Sequence, residues 1–230
     1  YSVQLPDSIS ASAKQILDVD SINPEVFRYI LSTVTSDYER SKMMGMDAVF
    51  VEMVQTYFKT GKATWVKDKD LQKIVERADA LSPTLLGKKA PFLRMQDTTG
   101  TWQNMYEIKA PITVLFIWDP DCGNCKKAMP KLIEFYKEYK DKGVEIYAVS
   151  TDFENDKWIK YLRKNPDMSW INVSDSPEFP NGFRDTYDVF STPRTFVLDE
   201  NKIIRAKRLA VDQLPEFVDY MLKQQKDKTQ

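Results

Sequence analysis

Apolar residues recur at three- and four-residue intervals over the first 85 positions. Beyond about position 90 they gather into short runs bounded by turn residues. The first pattern is that of amphipathic helices, the second that of strands alternating with helices. Residues 1–20 are rich in Ser and Asp and weakly periodic, so they read as a loosely ordered lead-in ending in a short helix over 13–17. Asn23-Pro24-Glu25 has the composition of a helix start, with Asn23 as cap and Pro24 at the first helical position. Val26, Ile30, Leu31 and Val34 then follow helical spacing. Val49, Phe50, Met53, Val54, Tyr57 and Phe58 predict a second helix over 47–58, stopped by Thr60-Gly61-Lys62. Leu71, Ile74, Val75 and Ala78 predict a third over 69–80. No stretch before residue 85 alternates as a strand does.

Ser82-Pro83 and Gly87-Lys88-Lys89-Ala90-Pro91 punctuate the chain. They place a domain boundary between an all-helical domain, 1–86, and a second domain, 87–230. In the second domain, 92–95 and 102–106 read as a hairpin with Gly100 in its turn. Ile112–Trp118 is a continuous apolar run of strand length. A helix over 125–139, a strand over 144–150, a helix over 156–164 and a short strand over 169–173 follow. Residues 194–198 and 202–209 read as a second hairpin, and 214–223 as a closing helix with Pro215 in its first turn. The Lys-rich end, 223–230, reads as a fraying, solvated tail. This alternation predicts an α/β domain with a mixed sheet, preceded by a small all-α domain.

Composition narrows the chemistry. A chain of 230 residues, 42% apolar, can bury a core without disulfide staples. A net charge of −1 removes the electrostatic case for bulk nucleic-acid binding. No apolar run approaches the ~20 residues of a membrane span. The chain has no histidine, which excludes Ser-His-Asp and Cys-His catalysis and His-containing zinc sites. No G-x-G-x-x-G or G-x-x-x-x-G-K loop occurs among its seven glycines. The Met43-Met44-Gly45-Met46 cluster reads as core packing or a helix corner, with a soft binding surface as the alternative. The chain opens at Tyr1 without Met, which leaves open an upstream segment lost to processing.

Both cysteines fall in one motif, Cys122-Gly123-Asn124-Cys125, directly after the apolar run and a polar Asp119-Pro120-Asp121 turn. A strand that ends there and a helix that begins at the cysteines put the first sulfur at a helix N-terminus. Unpaired backbone N–H groups and the positive end of the helix dipole stabilise a thiolate at that point. Cys122, the more exposed sulfur, is the candidate nucleophile. Cys125, one turn further in, is placed to attack a mixed disulfide and release the product. Lys126 and Lys127 favour the thiolate, and Asp119 and Asp121 oppose it. A zinc site would need two more Cys or His ligands. A static disulfide over so short a loop adds little stability. No metal and no bound cofactor is expected.

The chain resembles the thioredoxin superfamily, and most closely the envelope thiol–disulfide oxidoreductases of the TlpA/ResA type. The resemblance covers about residues 88–225. It is carried by the hairpin around Asp97–Trp102, the run Phe116-Ile117-Trp118-Asp119-Pro120-Asp121-Cys122-Gly123-Asn124-Cys125-Lys126-Lys127, the strand–helix insertion over 144–173, and Ser191-Thr192-Pro193-Arg194-Thr195-Phe196-Val197-Leu198-Asp199. It implies a thioredoxin-like fold in which Pro193 is a cis-proline lying against the cysteines. It also implies that Thr192 offers backbone groups to a substrate chain, and that Trp118, four residues before Cys122, shapes the substrate surface. The chain departs from the pattern at two positions. Thioredoxin carries a buried Asp where Phe116 stands, and ResA-like proteins carry a Glu where Ala128 stands. Proton transfer to Cys125 would then fall to water, Asp119 or another group.

The resemblance implies a thiol–disulfide oxidoreductase that reduces protein disulfides. Its partners would be a disulfide-bonded protein substrate and a thiol electron donor, with no nucleic acid. It also implies a periplasmic or cell-envelope location, free or tethered through a segment outside this chain. The helical part is similar to domains of unknown function that precede thioredoxin-like modules in bacterial envelope proteins. Two alternatives stay open. One is an interaction module on a thioredoxin scaffold. The other is a thiol peroxidase, whose family carries a Thr at the position held here by Asp119.

Overall fold

All seven residues of the strand β3, Ile112–Trp118, are buried. A continuous Val/Ile/Leu/Phe/Trp run can be buried on both faces only at the centre of a sheet. In the computed structural model, which describes residues 5–19, 21–175 and 182–229, β3 is flanked on both sides. It pairs in parallel with β4, Val144–Ser150, from Ile112↔Val144 to Trp118↔Ser150. It pairs antiparallel with β6, Arg194–Asp199, from Ile112↔Asp199 to Ile117↔Arg194. With β1 (Arg94–Gln96), β2 (Trp102–Asn104), β5 (Ile171–Ser174) and β7 (Ile204–Lys207) the sheet has seven strands in the order β2-β1-β5-β4-β3-β6-β7. It is a mixed sheet: β4 and β5 run parallel, while β1–β2, β1–β5 and β6–β7 are antiparallel.

The contacts divide the chain into two compact units. One is Tyr1–Lys88 with Thr186–Asp188, the other Lys89–Asp185 with Val189–Gln230. The first unit is helical: α1 (Pro6–Leu17), α2 (Pro24–Glu39), α3 (Asp47–Met53), a π-helical turn over Val54–Phe58, and α4 (Asp68–Leu81). Asn23 caps α2 as its position predicts, its side chain accepting the Glu25 N–H at 2.8 Å. The lead-in is a twelve-residue helix rather than a loose segment. Pro6 occupies its first turn, Ala13 and Leu17 are buried one turn apart, and Lys14 pairs with Glu52 of α3. Tertiary burial supplies what its Ser-rich sequence lacks in intrinsic preference. Residues 1–4 and 20 of that lead-in lie outside the described residues. The helix expected over 47–58 holds its α form only to Met53. The π turn that follows keeps Tyr57 and Phe58 buried, with the Tyr57 hydroxyl donating to Asp18 at 3.0 Å.

In the second unit α5 (Gly123–Tyr139), α6 (Asp156–Lys164), α7 (Phe183–Thr186, all but its last residue) and α8 (Leu214–Thr229) accompany the sheet. α5 begins two residues earlier than periodicity suggests, because Cys122 itself caps it. α8 continues through Thr229, so the Lys-rich end is helical up to Gln230, which is not among the described residues. The short α7 lies in a stretch where the sequence predicts no element. The core of this unit packs β3, β4, β6 and β7 against α5, α6 and α8 through residues such as Phe116, Met129, Leu132, Trp158 and Val218.

One glycine sets the entry to β4. Gly143 has φ +95°, and a Cβ there would lie 2.9 Å from the Pro111 ring, too close without movement. Its carbonyl also accepts the Ile112 N–H at 3.2 Å, at the start of β3. Gly143→Ala is expected to destabilise the second unit by at least about 1–2 kcal/mol, measurable as a lowered denaturation midpoint.

Candidate active site

The antiparallel pairing of β6 with β3 decides what can meet. The end of β3 leads through Asp119-Pro120-Asp121 to Cys122, and the start of β6 follows directly on Thr192-Pro193. Because the two strands run in opposite directions, both segments arrive at the same edge of the sheet. The Thr192–Pro193 peptide bond is cis. The Cys122 thiol reaches the Thr192 carbonyl, Sγ to O 3.2 Å.

Asp119 builds the turn that carries the cysteines. Its Oδ1 accepts the Asp121 N–H at 2.7 Å, its Oδ2 accepts the Thr151 hydroxyl at 2.8 Å, and its carbonyl accepts the Cys122 N–H at 3.1 Å. Thr151 in turn donates its N–H to the Trp118 carbonyl at 2.8 Å. Both carboxylate oxygens are therefore spent on turn geometry, and Asp119 serves as a strut. Sequence reasoning missed Thr151. Nothing in its local sequence marks it, since its role comes from β4 ending beside β3.

Both cysteines are free thiols with unlike surroundings. Cys122 is half-buried at the N-cap of α5, where its sulfur accepts the Cys125 N–H at 3.3 Å. Burial raises its pKa, and hydrogen bonds from Cys125, from Thr192 and from the Cys125 and Asn124 backbone outweigh that, so it lies below the ordinary thiol value. The neighbouring charges are not what sets it. Asp121 is held by Lys157 at 2.5 Å, and the positive charge of Lys126 falls on Asp121. Cys125 is fully buried, and burial first, then its contact with Cys122, pushes its thiol up to about 12.

Of the residues singled out in the sequence, Cys122, Cys125 and Thr192, with Pro193 next to it, come together at this edge. Trp118 does not present a substrate surface. It is 1% exposed, and its ring meets Tyr161 of α6 edge-on at 5.1 Å, so it forms the wall beneath the site. Phe116 is fully buried and Ala128 packs against the same core, so neither position supplies an acid. Among the described residues no group of three or more His, Cys, Asp or Glu is arranged to hold a metal ion.

This asymmetry predicts selective labelling. In the reduced protein near pH 7.5, iodoacetamide should modify Cys122, with Cys125 reacting at least about a hundredfold more slowly. Peptide mapping by mass spectrometry reads the difference. Equal labelling would contradict the assigned environments.

A thioredoxin-like family model matches residues 111–204. The thiol–disulfide oxidoreductase ResA of Bacillus thuringiensis subsp. konkukian is 32% identical over 122 residues, which is 52% of this chain and 68% of that protein. A domain of a possible thiol–disulfide isomerase from Cytophaga hutchinsonii is 40% identical, with a TM-score of 0.59 over 64% of this chain and 99% of its own. A thioredoxin-like protein from Bacteroides caccae, 18% identical, shares the fold over 94% of this chain and 78% of its own with a TM-score of 0.73. The paired thiols at the end of β3 and these likenesses agree: the chain belongs to the thioredoxin-like thiol–disulfide oxidoreductases of the ResA kind.

Proposed function

We propose that this oxidoreductase works as a reductant of protein disulfides in the cell envelope, through the Cys122-Gly123-Asn124-Cys125 dithiol. The observation that carries the reading is the unequal pair of thiols: a half-exposed Cys122 with a lowered pKa, and a buried Cys125 one helical turn away. The Cys122 thiolate attacks one sulfur of a substrate disulfide. A mixed disulfide forms, and the other substrate sulfur leaves as a thiolate that takes up a proton. Cys125 then loses its proton and attacks the Cys122 sulfur. The intramolecular disulfide forms and the second substrate thiol is released. Two electrons and two protons pass from the dithiol to the substrate. A thiol donor of the same compartment returns the pair to the reduced state.

Thr192 and Pro193 position the substrate in this reading. The Thr192 carbonyl already sits at hydrogen-bond distance from the reacting sulfur, so an extended substrate segment laid along this loop brings its disulfide to Cys122. The envelope setting is supported by membership of the ResA group. Among the described residues no helix is long and apolar enough to cross a membrane.

Cysteine variants test the scheme. With insulin as substrate, Cys122→Ser should abolish disulfide reduction. Cys125→Ser should accumulate a covalent adduct with the substrate that dithiothreitol releases. Non-reducing electrophoresis reads both. No adduct from Cys125→Ser, or undiminished reduction by Cys122→Ser, would refute the assignment of the two roles.

A further inference from the structure

A buried side chain anchors the cysteine turn from outside. Thr151, the first residue after β4, is 5% exposed. Its N–H donates to the Trp118 carbonyl at 2.8 Å, and its carbonyl accepts a hydrogen bond from the Arg184 guanidinium of α7. The Thr151 backbone is thus tied to the end of β3 on one side and to α7 on the other. Its hydroxyl donates to Asp119 Oδ2 at 2.8 Å. A β-branched side chain on a backbone held at both ends has little rotamer freedom, so this donor is fixed in place before any substrate arrives.

Asp119 passes this restraint on to the sulfurs. Its Oδ1 accepts the Asp121 N–H at 2.7 Å, and its carbonyl accepts the Cys122 N–H at 3.1 Å. Its backbone also hydrogen-bonds Cys125. The Cys122 sulfur accepts the Cys125 N–H at 3.3 Å only while the turn keeps it at the cap of α5. A carboxylate released from the Thr151 hydroxyl would loosen that turn and add a like charge near the thiolate. Resting on the reading of Cys122 as the nucleophile, we propose that Thr151 is a positioning residue for it: the Thr151 hydroxyl holds the Asp119 carboxylate in the turn and so keeps the Cys122 thiolate at the N-terminus of α5.

The other charged and titratable groups near the sulfur have places of their own. Lys126 and Lys127 of α5 are exposed. Asp121 pairs with Lys157 of α6. Arg184 is bound to the Thr151 carbonyl, and Arg194 stands at the start of β6. Cys125 stays protonated near neutrality, since burial first pushes its thiol up to about 12. A change confined to the Thr151 hydroxyl therefore reaches Cys122 through Asp119.

The pH dependence of Cys122 alkylation tests this in the reduced full chain. Iodoacetamide rates are followed across the pH range, and peptide fragmentation by mass spectrometry locates the label. Thr151→Val keeps the shape of the side chain and removes the hydroxyl. It should raise the pH midpoint by about one unit, so that the rate below the midpoint falls about tenfold while the alkaline plateau stays within about threefold. Thr151→Ser restores the donor and should return the midpoint to within about 0.3 unit of the parent. If Thr151→Val does not fold, Thr151→Ala removes the same hydroxyl and carries the same expectation. In an Asp119→Ala background, Thr151→Val should move the midpoint no further, because the two residues act as one unit. A lowered denaturation midpoint with an unchanged alkylation profile would make Thr151 a structural residue only and overturn the proposal. A shift that Thr151→Ser does not reverse, or that persists undiminished beside Asp119→Ala, would overturn it as well. A parent midpoint at or above the ordinary thiol value of about 8.5 would instead overturn the reading of Cys122 as an activated nucleophile, and the role of Thr151 with it.

Discussion

The hydrogen bonds at the start of α5 hold the site in order. The Cys122 sulfur lies between the Cys125 N–H at 3.3 Å and the Thr192 carbonyl at 3.2 Å. The first contact belongs to a helix terminus, where N–H groups lack intrahelical partners and welcome negative charge. The second comes from a segment 70 residues away in sequence. Both depend on β3. Its parallel partner β4 ends at Ser150 and hands Thr151 to the Asp119 turn, while its antiparallel partner β6 brings Thr192-Pro193 to the same end. A central strand buried on both faces is therefore the constraint from which the geometry of the sulfurs follows.

The two thiols acquire opposite properties from a separation of one helical turn. The same burial penalty acts on each. At Cys122, hydrogen bonds to the cap outweigh it. At Cys125, deeper burial dominates and the neighbouring sulfur adds to it. A thiol whose pKa is lowered and a buried thiol whose pKa is raised are the unequal pair that such an exchange uses.

Much of this was legible in the sequence where pattern and local chemistry coincide. The apolar run 112–118, the strand 144–150 and the amphipathic helix 156–164 stand where periodicity puts them, because each is long enough for its period to show. Cys122 and Cys125 were recognisable from spacing and from the turn before them. The Thr192-Pro193 contact came only through the family resemblance, since no local pattern links residues so far apart. Of α1 only the end, 13–17, was foreseen, because two buried residues, Ala13 and Leu17, anchor an otherwise Ser-rich segment. The lysines and aspartates flanking the motif suggested electrostatic tuning of Cys122, but Asp121 pairs with Lys157 and Asp119 is spent on the Asp121 N–H and the Thr151 hydroxyl. Trp118, to which the resemblance gave a part in the substrate surface, is buried and packs as a wall.

The central claim is that the Cys122–Cys125 pair is a reversible, reducing dithiol. A redox titration of the full chain in dithiothreitol buffers, read by thiol alkylation and mass, tests it directly. The account predicts a single two-electron transition at or near the about −270 mV of thioredoxin. A midpoint near about −120 mV, the range of a strong oxidant, would contradict the reducing direction. A pair that stays in one state across the whole range would contradict the exchange chemistry itself.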